Sequence, residues 1–403
     1  MLNPFAESLP LATYIHVPFC LSKCSYCAFY SIASGPEARR VYTDYLLKEI
    51  DLEMADFWHQ RGEDGHKLPL SSLYFGGGTP SLLAADELAE ILERLAQHFV
   101  LTEQTEITLE ANPSSNLLGQ LEAWRKLGIN RLSLGLQTSD DDVLKQLGRR
   151  HNYQQFLESY QMARAIGFTN ISFDLIFGLP GQKLEDWEQE LRTVLALTPD
   201  HLSFYSLQLE EGTPLGDALR KDPSSLPSEE EERAMYHLLT RLLPLHGLFP
   251  YEISNAARPG FESRHNSLYW RAEPYFAFGP AAASYTQGER RSRPANLTLW
   301  QNYIDQGPSL DTYRKARSKA CDSERISGEE ARREFMLLGF RMLAGVSQMR
   351  YRACFKENMT ERFAGELERL LQRDLIEQSP DGDRFALSLL GRDLANQVFL
   401  EFV

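Results

Sequence analysis

The chain has 403 residues, too many for one small hydrophobic core, and this length predicts a large domain followed by a smaller one. Its formal net charge of −14 disfavours nucleic acid as a general partner, because phosphate binding needs clustered Lys and Arg side chains. No apolar run approaches the roughly 18 residues that span a bilayer, and residues 1–7 lack a basic signal-peptide start. We therefore expect a cytoplasmic protein without a transmembrane segment, with peripheral membrane contact left open.

The first two hundred residues show a strand pattern followed by a helix pattern six times. The predicted strands are residues 13–17, 72–76, 106–110, 131–136, 170–177 and 201–208. Helix patterns lie between them, for example at residues 84–99 and 153–166. Eight such units close a barrel, so six predict an α/β fold built on an open, partial (β/α)6 barrel.

Three thiols, Cys20, Cys24 and Cys27, lie within eight residues directly after the first predicted strand. Buried or paired thiols and a zinc site are the alternatives, although zinc usually takes four protein ligands, or three plus water. Three thiolates on a [4Fe–4S] cluster leave one iron open to a small molecule. The remaining cysteines, Cys321 and Cys354, are scattered, and the odd total does not suggest a disulfide framework.

Polar and glycine-rich residues follow several of the predicted strands. Gly77, Gly78 and Thr79 come after the second strand, Glu110 ends the third, and Gln137 follows the fourth. Asp174 lies inside the apolar fifth strand. Each has an ordinary structural explanation, as a turn, a helix cap or a paired core carboxylate. Because the carboxyl ends of parallel strands meet at one face, these residues together predict one binding site.

These motifs resemble those of the radical S-adenosylmethionine (SAM) superfamily, and within it the coproporphyrinogen-oxidase-like group. The motifs are Tyr14-Ile15-His16-Val17-Pro18-Phe19-Cys20, Tyr74-Phe75-Gly76-Gly77-Gly78-Thr79-Pro80-Ser81, Arg131-Leu132-Ser133-Leu134-Gly135-Leu136-Gln137 and Asp174-Leu175-Ile176-Phe177-Gly178-Leu179-Pro180. The resemblance implies that the three cysteines hold a [4Fe–4S] cluster whose open iron takes SAM, and that a low-potential electron donor is a partner. The SAM contacts that it implies are Tyr14, Gly77, Gly78, Thr79, Glu110, Gln137, Arg149, Asp174 and Gln208.

A second segment, His265-Asn266-x-x-Tyr269-Trp270, lies beyond the repeats. A single histidine is more often a satisfied structural group than a ligand, and Tyr and Trp are more often core residues. As a unit, however, the segment resembles the signature of the haem-chaperone branch of the same group. That resemblance implies haem as a ligand, with His265 on the iron and Tyr269 and Trp270 against the porphyrin, and haem-accepting proteins as partners.

Two functions from different classes remain: a haem chaperone on a radical SAM scaffold, and a radical SAM enzyme, either a coproporphyrinogen oxidase or a related methyltransferase. The oxidases carry a fourth cysteine where this chain has Phe29, which favours the chaperone and argues against oxidase activity. The chain also departs from the chaperone pattern, with Ala28 after the third thiol and with Ala281 and Ala283 in place of a glycine and a histidine. Whether SAM is cleaved stays open.

We expect residues 1–300 to form the partial barrel with the haem-motif extension, and residues 310–403 to form a smaller helical, winged-helix-like domain. Residues 251–255 predict a seventh strand. In the C-terminal part, residues 329–343 and 363–371 predict helices, residues 375–387 a hairpin and residues 389–399 a last helix. No basic recognition helix is evident, so DNA binding is not expected.

Overall fold

The structure is a computed structural model that describes residues 3–113, 117–307 and 309–403. Met1 and Leu2, which belong to the segment 1–7, lie outside these ranges. Among the described helices, none combines the length and the apolar character needed to cross a bilayer.

The described residues form nineteen strands, of which twelve belong to one sheet. The strands are β1 (Ala12–Val17), β2 (Phe19–Cys20), β3 (Ile32–Ala33), β4 (Leu68–Pro69), β5 (Ser72–Gly77), β6 (Phe99–Val100), β7 (Glu106–Ala111), β8 (Arg131–Gln137), β9 (Ile171–Phe177), β10 (His201–Ser206), β11 (Phe249–Glu252), β12 (Asn255–Ala257), β13 (Tyr275–Phe278), β14 (Ala283–Thr286), β15 (Glu289–Ser292), β16 (Asp322–Arg325), β17 (Val346–Ser347), β18 (Ile376–Gln378) and β19 (Arg384–Leu387).

Seventeen α-helices occur in the same ranges. They are α1 (Pro36–Arg61), α2 (Ala85–His98), α3 (Leu118–Lys126), α4 (Asp141–Gln146), α5 (Tyr153–Ile166), α6 (Leu184–Leu195), α7 (Pro214–Lys221), α8 (Glu229–Leu242), α9 (Arg264–Trp270), α10 (Leu297–Asp305), α11 (Leu310–Ala320), α12 (Gly328–Gly339), α13 (Gln348–Phe355), α14 (Met359–Arg362), α15 (Ala364–Gln372), α16 (Leu389–Asp393) and α17 (Ala395–Leu400). Short 3-10 turns are Pro4–Ala6, Pro80–Leu82, Pro223–Ser225 and Leu243–His246.

Six parallel strands form the centre of the large sheet, in the order β10-β9-β8-β7-β5-β1. They are the six strands predicted from the sequence, and helices connect them in sequence. No pairing of described strands joins β11 at one edge to β16 at the other. The α/β fold with an open sheet of six strand–helix units is therefore confirmed.

Both edges of the sheet extend beyond these six strands. At one edge β13 pairs parallel to β1, and β14, β15 and β16 follow as an antiparallel ribbon that the sequence did not predict. At the other edge β11 and β12 form a hairpin beside β10. The prediction of one strand over residues 251–255 is therefore wrong. The chain reverses at Ile253 and Ser254, where no strand is formed.

Alternation of residue types along the central strands gives the sheet two different faces. In β8, Leu132, Leu134 and Leu136 are buried at every second position in the hydrophobic core. Arg131 and Ser133 occupy the positions between them and line a cavity on the opposite face. Because side chains of a strand point alternately to opposite faces, leucines pack under the helices while polar groups face inward.

The C-terminal residues build a second hydrophobic core around Phe335, Tyr351, Phe363, Phe385 and Phe402. The predicted helix over residues 329–343 ends earlier, at Gly339. The predicted last helix is two helices, α16 and α17, because Leu394 leaves helical geometry between them (φ −115°, ψ 29°).

The boundaries predicted for the two domains, 1–300 and 310–403, stay a prediction, and the packing suggests a later boundary. Tyr313 and Cys321 are buried in the first hydrophobic core, and β16 belongs to the large sheet. We propose that the smaller domain begins near residue 326, after β16.

Candidate functional site

The loop that carries Cys20, Cys24 and Cys27 leaves the end of β1 and lies over the carboxyl ends of the central strands. It is tied down where β2 pairs with β3 and where the backbone N–H of Ser25 donates to the carbonyl of Leu147 (3.0 Å). All three thiols are free and partly exposed, and all three line one cavity of about 440 Å³. The structure therefore brings the three predicted ligands to one opening.

Neighbouring polar groups already contact two of these sulfur atoms. The Thr79 hydroxyl lies 3.5 Å from Cys20 Sγ, and a terminal nitrogen of Arg149 lies 3.8 Å from Cys24 Sγ. These contacts hold the two sulfur atoms in place at the opening. Across the described residues, no three His, Cys, Asp or Glu side chains stand close enough to hold a single metal ion. A cluster differs from an ion here, because each thiolate binds its own iron atom.

The glycines after β5 bring the main chain close to its neighbours. Gly77 has φ +109°, and a Cβ there would lie 2.6 Å from the His16 ring. A Cβ on Gly78 would lie 2.7 Å from the carbonyl oxygen of Phe19. Any larger residue would displace the strand that leads to the cysteine loop, so the glycines are required here for close approach and leave backbone groups facing the cavity.

Glu110, at the end of β7, faces the cavity beside this turn. It accepts hydrogen bonds from the Tyr74 hydroxyl (2.8 Å) and from the Gly77 N–H (3.2 Å). Burial raises its pKa to about 7, although the two hydrogen bonds and the charge of Arg131 act in the opposite direction. Near neutral pH this carboxyl group can therefore take up or release a proton.

Asp174, in the middle of β9, has a similar environment. The hydroxyl of Ser133 donates to both of its carboxylate oxygens, at 3.0 and 3.1 Å. Burial raises the pKa of Asp174 to about 6, against the Ser133 hydrogen bond. The site thus contains two carboxyl groups that are easier to protonate than exposed ones, which suits contact with hydroxyl groups or cationic groups of a ligand.

Arg149 connects three parts of the opening. One terminal nitrogen donates to the Asn112 side chain and to the carbonyl of Gly135, both at 2.7 Å, while its buried Nε has no partner among the described residues. Gln137 lies beside it with φ +72°, a left-handed conformation that turns the chain at the end of β8. This arrangement places a fixed cation at the cavity mouth with hydrogen-bonding capacity left over.

Most of the predicted contacts share this cavity. Its lining includes the three cysteines together with Gly77, Gly78, Thr79, Glu110, Gln137, Arg149, Asp174 and Gln208. Tyr14 does not line it. That ring stacks on Tyr74 at 6.1 Å between centroids, and its hydroxyl lies 3.2 Å from His16 Nδ1.

The segment of α9 predicted to bind haem lies at the other end of the central strands. His265 Nδ1 lies 3.0 Å from the Ser72 hydroxyl at the start of β5, and His265 Nε2 lies 2.8 Å from the Tyr269 hydroxyl. The backbone N–H of His265 donates to the Glu106 carboxylate at the start of β7 (3.2 Å). Burial lowers the pKa of His265 to about 3, so the ring is neutral.

This geometry does not support the prediction that His265 ligates haem iron, because both ring nitrogens already have partners and the residue is only 1% exposed. Tyr269 also packs edge-to-face on Tyr275, with centroids 4.5 Å apart. The Trp270 ring lies under the guanidinium of Arg341, 4.2 Å from its centroid, near the C-terminal core. Here α9 closes the floor of the cavity and contacts the second core.

Several cavity residues were not predicted from the sequence. They are Arg131, Ser203, Tyr205 and Asn266. The signal for Arg131 was present in the alternation of polar residues and leucines along β8. Asn266 could not have been placed from sequence spacing, because it reaches the cavity only through the docking of α9 against β5 and β7.

Comparison with known proteins gives two family matches. The model of the radical SAM superfamily matches residues 14–194, and that of the HemN C-terminal domain matches residues 326–394. The haem chaperone HemW of Bacillus subtilis is 35% identical, over 97% of this chain and 99% of that protein. The haem chaperone HemW of Lactococcus lactis is 32% identical, over 98% of this chain and 97% of that protein.

Among solved structures, coproporphyrinogen III oxidase (HemN) from Escherichia coli, described as a radical SAM enzyme, matches with a TM-score of 0.81. The match covers 98% of this chain and 90% of that one, at 22% sequence identity. At this identity the likeness is one of fold, and it extends from the large sheet through the C-terminal helices.

Proposed function

This chain belongs to the HemW family of haem chaperones within the radical SAM superfamily, and from that membership we propose that it binds haem and delivers it to acceptor haemoproteins. The observation that carries the proposal is the similarity to HemW proteins along almost the whole chain, 35% identity over 97% of it for the Bacillus subtilis protein. We further propose that it works in the cytoplasm, with haem-accepting proteins and a low-potential electron donor as partners.

We propose that Cys20, Cys24 and Cys27 hold a [4Fe–4S] cluster. The supporting observations are three free thiols at one opening, the glycine turn that a Cβ would obstruct, and the unpartnered Nε of Arg149. Bound together, a cluster of this type and SAM supply an electron and a cleavable sulfonium. What the chain contributes is orientation and an enclosed cavity.

The remaining cavity residues would hold SAM. Arg149 suits the carboxylate of its methionine part, and Asp174 and Gln137 suit its ribose hydroxyls. Gly77, Gly78 and Thr79 would provide main-chain and hydroxyl contacts near the methionine end, with Glu110 and Gln208 on the same wall. Tyr14 stands behind Tyr74, and we propose that it supports the wall rather than touching the ligand.

We propose that haem takes its iron ligand from a residue other than His265. To bind iron, His265 would have to give up its contacts with Ser72 and Tyr269 and leave the cavity floor. We also expect no coproporphyrinogen oxidation, because the position of the oxidases' fourth cysteine is held by Phe29, which is 68% exposed and lines the cavity mouth.

One preparation tests the proposal. The protein is reconstituted anaerobically with iron and sulfide, titrated with haem by visible absorption, and then mixed with an apo-globin. We expect a saturable Soret shift, haem transfer faster than from protein-free haem, and no conversion of coproporphyrinogen III in the presence of SAM and a reductant. Steady conversion without haem transfer would establish an enzyme instead.

A further inference from the structure

Arg131 is a buried cation that none of the proposed cofactor contacts uses. It is the first residue of β8, is 2% exposed, and lines the inner part of the cavity. Its Nε is buried without a hydrogen-bond partner in the described part of the chain. Burying a guanidinium nitrogen without a hydrogen-bond partner is costly, and because the side chain lines the cavity, we infer that it meets something that the protein binds.

The neighbouring carboxylates do not take its hydrogen bonds. Glu110 and Asp174 feel the charge of Arg131 through space, but Glu110 is bonded by Tyr74 and Gly77, and Asp174 by Ser133. Two nearby imidazoles, His201 and His265, have lowered pKa values, mainly through burial and also through this charge. They are neutral and cannot offset it.

A second unpartnered atom lies next to Arg131. Thr108 stands directly opposite it in the register of β7 and β8, and the Thr108 hydroxyl is also buried without a partner in the described ranges. Tyr74, Ser203 and Asn266 complete the polar wall at this depth. Thr108 does not line the cavity itself, but the Arg131 guanidinium and the Asn266 amide do, and together they match the two oxygens of a carboxylate.

Depth separates this floor from the cysteines, Gln137 and Arg149, whereas Glu110 and Asp174 lie between the floor and the mouth. Arg131 begins β8 and Gln137 ends it, and six residue steps along a strand span about 20 Å. The cysteines, Gln137 and Arg149 lie at the far end. A cavity of about 440 Å³ accepts a small molecule but is too small for a haem to enter and reach the floor.

We propose that the floor of the cavity is a binding site for a small carboxylic acid, distinct from SAM, held by Arg131 with Asn266. The site deepens the proposed function, since it gives the scaffold a second small-molecule ligand besides SAM. It does not depend on haem delivery, because Arg131 is buried at the start of β8, away from the cysteine loop at the other end of the strands.

Propionate is the probe, and neutral propionamide of the same shape is its control. Binding is measured by isothermal titration and ligand-observed NMR on the full chain, with and without the reconstituted cluster and SAM. We expect the acid to bind and the amide not to bind, with SAM leaving the acid's affinity unchanged. No binding, or equal binding of acid and amide, would show that the floor holds only water and would overturn the proposal.

Two variants locate the acid. Arg131→Gln should weaken propionate at least tenfold, while Arg150→Gln, which removes an exposed cation near the mouth, should change nothing. If Arg131→Gln does not fold, a crystal of the unaltered chain soaked in 3-bromopropionate decides, since the bromine signal must lie at the floor and not at Arg149. Unchanged affinity in a folded Arg131→Gln, or bromine elsewhere, would refute the site.

The carboxylate at the floor could come from a separate small acid or from a haem propionate. Comparing the binding of haem with that of its dimethyl ester, which lacks free carboxylates, distinguishes these two sources. We expect both to bind equally well to the chain and to Arg131→Gln, because a haem propionate does not reach the floor. If the ester bound more weakly only when Arg131 is present, the carboxylate would belong to haem and the small-acid proposal would fail. Loss of haem binding altogether, with propionate binding retained, would refute haem delivery and leave the floor site standing.

Discussion

Ala281, between β13 and β14, has a backbone conformation that alanine rarely adopts. Its φ is +64°, and its N–H donates to the carbonyl of Pro294 (2.9 Å), which holds the turn in place. The HemW pattern has glycine at this position. In the left-handed region an alanine costs roughly 1–2 kcal/mol relative to glycine.

We therefore predict that Ala281→Gly stabilises the protein, by about 0.5–1 kcal/mol after the greater freedom of glycine in the unfolded chain is subtracted. Urea denaturation measures the difference. Ala282→Gly is the matched control: Ala282 is buried and has no positive φ, so the same change should destabilise by about 1 kcal/mol. Equal effects at the two positions would mean that the turn is not strained.

Glu110 should make the stability of the protein depend on pH. Its pKa is about 7 in the folded chain against an ordinary value of 4.5, chiefly through burial, so the folded state holds the proton more tightly than the unfolded state. The free energy of unfolding therefore falls as pH rises from 4.5 to 7. Since Glu110 faces the cavity, we expect on the order of 2 kcal/mol from this residue.

The variant Glu110→Gln should remove that part of the pH dependence. Denaturation of both proteins without SAM, at pH 4.5 and pH 7.5, gives the comparison. Asp174, with a pKa of about 6, stays in both, and because its charge helps to raise the pKa of Glu110, the comparison measures Glu110 together with its coupling to Asp174. If the two proteins lose the same stability over this interval, the proton on Glu110 is not linked to folding.

At the scale of elements, α1 joins the ribbon and the following helices to the sheet through buried charges. Glu49, Glu53 and Asp56 lie three or four residues apart and so share one face of α1. Arg317 of α11 donates to Glu53 (2.9 Å) and to Asp56 (2.6 Å), and the side chains of all three are almost fully buried.

Removing one partner of this network leaves buried charges unpaired, which typically costs 3–5 kcal/mol. We predict a loss of that size for Arg317→Met, seen as a lower midpoint in thermal or urea unfolding. Arg192→Met is the comparison, since Arg192 pairs with Glu188 on an exposed helix surface and its loss should cost less than about 1 kcal/mol. A small effect at Arg317 would mean that α11 is not anchored by these charges.

A variant of His265 on α9 distinguishes two roles for this residue, stabilising the cavity floor and ligating haem iron. We predict that His265→Ala lowers stability by about 2–4 kcal/mol, because it removes two buried contacts and leaves the Ser72 and Tyr269 hydroxyls without that partner. The folded fraction should still bind haem with an unchanged Soret maximum. A variant of normal stability that has lost the Soret shift would restore His265 as the iron ligand.

The strands that the sequence predicted are those whose pattern is local. In β8 the leucines alternate with polar residues. The capping residue Asn152 precedes α5, and Gly167, with φ +97°, follows it, so both elements could be predicted from neighbouring residues. The ribbon β14–β16 has no such pattern and forms because β13 pairs with β1. The position of α9 depends on contacts of His265 with Ser72 and Glu106, which lie 193 and 159 residues earlier in the chain. No spacing rule predicts such contacts.

The same contrast holds for the site. The cysteine spacing and the strand ends predicted which residues meet at the mouth, since parallel strands all present their carboxyl ends to one face. Arg131 was not predicted as a cavity residue, because a charged residue at the start of a strand usually faces solvent. Only the assembled sheet, with α9 beneath it, converts that position into a buried floor.

For the molecule as a whole, the mouth and the floor of the cavity depend on different parts of the chain. The mouth is formed by the cysteine loop and the carboxyl ends of the strands, whereas α9 closes the floor and contacts the C-terminal core through Trp270 and Arg341. Changes at the mouth should therefore alter cofactor binding without unfolding the protein. Changes in α9 at the floor should lower stability and leave cofactor binding unaltered.

The cluster cysteines test this separation. In the triple variant Cys20/Cys24/Cys27→Ala we expect no iron–sulfur absorbance after reconstitution and no SAM binding, with a thermal midpoint within a few degrees of the unaltered chain, because the three thiols are partly exposed. The double variant Cys321/Cys354→Ala should retain the full cluster, since Cys321 is buried in the first core and Cys354 packs on the second, both away from the mouth. Iron and sulfide analysis beside the visible spectrum provides the measurement. A full cluster in the triple variant would refute the assignment of the three ligands, and unfolding of that variant would show that the mouth and the remainder of the fold are not independent.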